Sequence, residues 1–147
     1  MIKEFEFFHG LVLARILHAT QRPVLIRPFR PTSNASYVLN NAVGLYIKYS
    51  AKRMTPWRFT FLQEHQDEID ALKKSLAKTF LTLVCNDDGI VCLEYSELKA
   101  ILDHQHKPIE WISVTRRKNQ MYSVKGSDGQ LDFKVGKSEF PAKLFKT

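Results

Sequence analysis

Residues 37–50 read Tyr37-Val38-Leu39-Asn40-Asn41-Ala42-Val43-Gly44-Leu45-Tyr46-Ile47-Lys48-Tyr49-Ser50. Tyr37–Leu39 and Leu45–Tyr49 are rich in aromatic and β-branched residues, and Asn40 to Gly44 separates them. Such runs favour strands and an Asn/Gly-rich interruption favours a turn, so the stretch predicts a β-hairpin. Downstream, Lys52-Arg53-Met54-Thr55-Pro56 is a basic connection. Trp57-Arg58-Phe59-Thr60-Phe61 then alternates with period two and predicts another strand. Upstream, Val24-Leu25-Ile26-Arg27 sits between Pro23 and Pro28 and predicts a strand, with a loop over Pro31-Thr32-Ser33-Asn34.

Helical spacing flanks this strand block. Phe5, Phe8, Val12 and Ile16 would form one apolar stripe of a helix from Ile2 to His18. Leu62, Ile69, Leu72 and Leu76 align on a second helix, with acids early and Lys73 and Lys74 late, as the helix dipole favours. Thr79 to Cys85 is continuously apolar, the pattern of a buried central strand. Asn86-Asp87-Asp88-Gly89 reads as a turn, Ile90 to Leu93 as a returning strand, and Ser96 as the cap of a short helix through Leu102. Trp111–Arg116, Met121–Lys125 and Leu131–Val135 predict a meander with turns at Arg117–Gln120 and Gly126–Gly129. The expected fold is α/β or α+β: a central mixed sheet flanked by helices over residues 1–103, extended by a C-terminal β-meander over 104–147 in the same compact domain.

The chain has 147 residues and a net charge of +7, with 44% hydrophobic residues, which places it in the globular class. No apolar run approaches the ~20 residues of a membrane helix, and the N-terminus does not resemble a secretory signal. A cytoplasmic location with Cys85 and Cys92 as reduced thiols is expected. The charge is uneven. Residues 48–61 hold Lys48, Lys52, Arg53 and Arg58 without an acid, residues 62–103 carry a net −5, and residues 104–147 a net +5. That asymmetry suggests one face for a polyanion and an opposite, solvated face.

The element order resembles the PD-(D/E)xK, or restriction-endonuclease-like, nuclease superfamily, whose core is an α-β-β-β-α-β unit. The resemblance covers about residues 1–103. It implies an acid on one arm of a hairpin and a Glu-x-Lys triplet on the next strand, which hold a divalent metal, usually magnesium. Here the matching positions are Asn40 (or Asn41) and Tyr46-Ile47-Lys48. The lysine matches and both carboxylates are missing, so the motif is degenerate. The plainer reading is that Leu45, Ile47 and Tyr49 pack into a core while Tyr46 and Lys48 share a solvated face.

Lys48, Lys52, Arg53 and Arg58, beside Tyr46, Tyr49 and Trp57, form the best candidate binding surface, since basic groups hold phosphates and aromatic rings stack on bases. Arg116-Arg117-Lys118 is a second candidate. Asp87 and Asp88 read as turn residues, not as an EF-hand. His104-x-His106 could chelate a metal if extended, but lacks a third ligand, and His65 reads as a boundary residue. No metal site is assigned. No G-x-S-x-G, G-x-G-x-x-G or P-loop occurs.

The expected function is nucleic-acid binding, to DNA or RNA, by a nuclease-like core that has lost its metal ligands and needs no cofactor. One alternative is an active magnesium-dependent nuclease in which Lys48 is catalytic and Glu4, Glu6 or Glu64 supplies displaced ligands. Another is a protein-interaction module or homodimer that binds no nucleic acid.

Overall fold

The described chain begins with α1 (Glu4–Ala19), β1 (Ile26–Pro28), β2 (Ser36–Leu39), β3 (Val43–Ser50), β4 (Trp57–Leu62) and α2 (Gln63–Ser75). It continues with β5 (Lys78–Cys85), β6 (Gly89–Glu94), α3 (Tyr95–Ile101), β7 (Ile109–Thr115), β8 (Ser123–Gly126) and β9 (Gly129–Gln130). Short 3-10 turns at Lys137–Glu139 and Ala142–Phe145 follow. The computed structural model describes residues 1–29 and 33–146. The loop expected at Pro31 and Thr32 therefore lies outside the described residues.

Two sheets result, ordered β1-β2-β3-β5-β6 and β4-β7-β8-β9. The first is mixed: β1, β2 and β3 are antiparallel neighbours, and β5 runs parallel to β3 from Val43↔Lys78 to Ser50↔Cys85. The expected hairpin is present. Its turn holds Asn40 and Asn41 at φ 52° and 57°, a conformation that asparagine tolerates better than most residues. The Ala42 N–H closes it on the Leu39 carbonyl at 3.0 Å.

Both faces of the first sheet are buried, so its central strands read as continuous apolar runs. Leu45, Ile47, Phe80, Val84, Ile90 and Cys92 face α1, through Val12 and Ile16, and the C-terminal Phe140 and Leu144. Tyr46, Leu81, Leu83, Cys85, Val91 and Leu93 face α2, α3 and the second sheet, through Ile69, Leu72, Leu98, Phe59 and Ile112. The expectation of a solvated Tyr46 face is thus corrected. Tyr46 is 2% exposed, because β4 leaves the first sheet and covers that face. The expected boundary at residue 103 runs through one sheet, since β4 pairs with β7 from Trp57↔Val114 to Leu62↔Ile109.

Each helix starts the same way: the third helical side chain returns to the N-cap N–H. Glu6 accepts from Lys3, His65 from Leu62, and Glu97 from Glu94. Ser96 is therefore not the cap of α3; it is the second residue of the helix. The expected strand Leu131–Val135 is replaced by the two-residue β9 just before it, Gly129–Gln130, and a single bridge, Tyr122↔Val135. Asp132, Phe133 and Lys134 loop outward between the bonded Leu131 and Val135. No helix among the described residues is long and apolar enough to cross a membrane.

The β8–β9 turn lies hard against the end of α3. A Cβ at Gly126 would stand 2.4 Å from the Ile101 carbonyl oxygen, and one at Gly129 2.3 Å from that of Ala100. A Cβ at Gly10, on α1, would meet nothing within 4 Å. Gly126→Ala should therefore lower unfolding free energy by about 1–3 kcal/mol. Gly10→Ala should raise it by about 0.5–1 kcal/mol. Urea midpoints at constant m-value measure both.

Candidate functional site

Lys48 leaves β3 on its Tyr46 side and enters the gap between the sheets. Its Nζ donates to the Thr60 carbonyl of β4 and lies 3.1 Å from Nδ1 of His65, in the first turn of α2. The Leu62 N–H also donates to that Nδ1, so the neutral ring carries its proton on Nε2. Lys48 Nζ sits 4.5 Å from the Phe61 ring centroid. Burial pushes the Lys48 ammonium down to about 8. Burial, and then Lys48 itself, lowers His65. Tyr46 is held neutral by burial and by the negative charges of Glu68 and Glu64. A cavity of about 530 Å³ opens here, bounded by Phe5, His9, Asn34, Tyr46, Lys48 and His65.

The structure separates Asn40 from this pocket. Tyr46 pairs with Ser36, whereas Asn40 lies past Leu39 at the other end of the hairpin. Val43 to Lys48 spans roughly 17 Å at about 3.3 Å per residue. Asn40 instead receives the Leu25 N–H at 2.9 Å, and Asn41 receives Arg27 Nε at 3.1 Å. Both asparagines serve the turn and β1, which corrects their assignment to a metal-acid position.

The acid that reaches the hairpin is Glu68, one turn beyond Glu64. It accepts hydrogen bonds from the hydroxyls of Ser33, at 2.9 Å, and Ser36. Sequence reading missed it; the i, i+4 spacing from Glu64 on a helix was the available signal. Of the displaced ligands that the nuclease alternative names, Glu64 lies close enough to act on Tyr46 and His65, while the other two have partners of their own. Glu6 caps α1, and Glu4 accepts from Tyr49. Among the described residues, no trio of metal-ligating side chains converges at Lys48.

The two basic segments do come together. Register places Arg58, Ser113 and Lys125 in one cross-strand row of the second sheet, with Thr60–Trp111 and Thr115–Ser123 on the same outer face. The inner face carries the buried Trp57, Phe59, Ile112, Val114 and Val124. Arg58 lies 4.5 Å over the Trp111 ring. Trp57 is 2% exposed and donates its indole N–H to the Lys52 carbonyl. A stacking role for Trp57 is thereby corrected: it anchors the basic loop, and the tryptophan on the outer face is Trp111.

At the end of that face, the Arg116 N–H donates to Thr55 Oγ1 at 3.2 Å, which joins the loops 51–56 and 116–120. Two adjoining cavities of about 560 and 850 Å³ share Arg116, Gln120, Met121 and Lys134. Arg117 and Lys137 complete their basic lining, and no acid lines either cavity. Arg116 is not free for a phosphate. It grips Asp88 through Nε at 2.8 Å and Nη2 at 2.7 Å. Tyr122 adds its hydroxyl at 2.6 Å, and these bonds hold the Asp88 carboxyl below its ordinary range. Arg53, Arg117 and Lys118 are exposed, as are Lys134 and Lys137, which sequence reading did not single out.

The remaining candidates have structural roles. His106 ties Asp67, at 2.7 Å, to Asp70, at 3.1 Å, while His104 lies beside the Tyr95 ring. Burial raises both cysteine thiols, Cys92 to about 12. Comparison with known proteins finds no matching family model, no matching curated protein and no matching solved structure.

The depressed Lys48 has a pH signature. The unfolded chain binds the additional proton between about pH 8 and the ordinary 10.5, so the burial penalty is full below pH 8 and fades as pH rises. Lys48→Met should exceed wild-type stability at pH 7.5 by about 2 kcal/mol, allowing for partial solvent access. The gap should narrow by pH 10. Urea titrations at both pH values test this; a constant gap would mean that Lys48 keeps its proton in the fold.

Proposed function

We propose that this chain binds nucleic acid on a nuclease-like core that lacks its metal carboxylates. The observation that carries the reading is the convergence of the two basic loops, 51–56 and 116–120, on a groove whose lining contains no acid. Lys and Arg neutralise phosphates and release counterions. The outer face of the second sheet continues the groove with Arg58, Lys125 and Trp111, a basic surface with one aromatic ring for an unpaired base. Lys52 donates to the carbonyl of the lining residue Pro56, and Arg53 and Lys118 are exposed on the same two loops.

The nuclease-like part rests on topology. α1, β1, β2, β3, α2 and β5 follow the α-β-β-β-α-β order, with β4 inserted before α2. Lys48 occupies the lysine position of the degenerate triplet. Its partners are a carbonyl and an imidazole, without a carboxylate. The chain is therefore read as a binder.

Fluorescence anisotropy on single- and double-stranded DNA and RNA, at 50 and 200 mM salt with magnesium, tests the reading. Arg117→Glu with Lys134→Glu should weaken binding at least tenfold and reduce the salt slope by about 1.5–2. Lys74→Glu on α2 should leave both unchanged. An unchanged slope in the double variant would reject the groove. No binding by the wild type would remove the nucleic-acid reading and leave the interaction module. Magnesium-dependent cleavage lost in Lys48→Ala would establish the active alternative.

A further inference from the structure

Three carboxylates that the basic face does not use meet on the far side of α3. Asp103 follows the helix, Glu110 is the second residue of β7, and Asp128 lies in the β8–β9 turn. One oxygen from each lies within 4.8 Å of the others. Their positions are fixed by backbone. The Asp103 N–H donates to Asp128 Oδ2 at 3.0 Å, the Lys107 N–H to Glu110 Oε1 at 3.2 Å, and the Asp128 N–H to the Ile101 carbonyl at 2.9 Å. The close approach at Gly126 and Gly129 holds the turn in place.

The second observation is independent of the clustering. Glu110 is 1% exposed, and its Oε2 is buried without a hydrogen-bond partner. A buried carboxylate oxygen is costly unless a donor or a cation meets it. The one basic group at the cluster, Lys107 Nζ, lies 3.4 Å from Asp128 and its side chain is 56% exposed. A single mobile ammonium does not balance three carboxylates.

We propose that Asp103, Glu110 and Asp128 form a binding site for a hard divalent cation of the calcium class. Two oxygens each about 2.4 Å from one calcium ion are separated by at most about 4.8 Å, and calcium tolerates irregular shells completed by water. Bound there, the cation ties the end of α3, the start of β7 and the β8–β9 turn together.

Thermal unfolding of the full chain at pH 7.5, in chelator and then in 10 mM calcium or magnesium, tests the site. With a dissociation constant of about 0.1–1 mM, calcium should raise the wild-type midpoint by about 3–10 °C, and magnesium by less. Glu110→Gln places an amide donor beside Asp128 and removes the anionic ligand, so it preserves the fold while weakening the site. Asp103→Asn, at an exposed position, removes another without touching the core. Both should weaken calcium at least tenfold. No rise in the wild type, or an equal rise in both variants, would overturn the proposal.

Discussion

The parallel pairing of β3 with β5 is the constraint on which the rest of the chain depends. Parallel neighbours cannot be joined by a tight turn; they require a crossover. With β2 on one side of β3 and β5 on the other, β4 has no place in that sheet. It starts a second sheet, and α2 returns the chain between the two. Gly44 makes the close approach possible, because a Cβ there would stand 2.9 Å from Leu76 Cδ1 and from Thr79 Oγ1. Lys48 belongs to the same arrangement: rooted in one sheet, it gives its ammonium to a carbonyl of the other.

The crossover also separates two kinds of basic residue. Lys48 is drawn inward, where burial depresses it and where it faces a neutral histidine. The cations of the loops and of the outer sheet face remain in water. The acidic stretch is taken up in local ties, Asp67 and Asp70 with His106, Asp88 with Arg116, and Glu97 with Lys143. On the basic face, Asp88 holds Arg116 and lies 3.9 Å from Lys137, while Arg117 and Lys134 have no acid partner among the described residues.

Most elements were legible because periodicity and turn chemistry are local. The hairpin, both long helices and the continuous β5 follow from apolar spacing. The division into two sheets was not legible, since an alternating strand such as Trp57–Leu62 reads the same in either. That one ambiguity misplaced the Tyr46 face and presented Trp57 as an exposed ring. The Asn40 equivalence failed for a related reason: chain distance from the triplet says little about which end of a hairpin a residue occupies. Lys134, Lys137 and Glu68 carried no motif and became visible only when loops from distant segments met.

The first sheet also has two free margins to protect. At one, β1 is only three residues long and ends in Pro28, which has no N–H to offer a further strand. At the other, β6 carries four buried residues, Ile90 to Leu93, and would present a long apolar edge. There the C-terminal turns lie alongside it, Lys143 donates to the Cys92 carbonyl, and Phe140 and Leu144 cover the apolar side. The final segment thus acts as a guard against edge-to-edge assembly. A chain that loosened it would expose the apolar edge of β6.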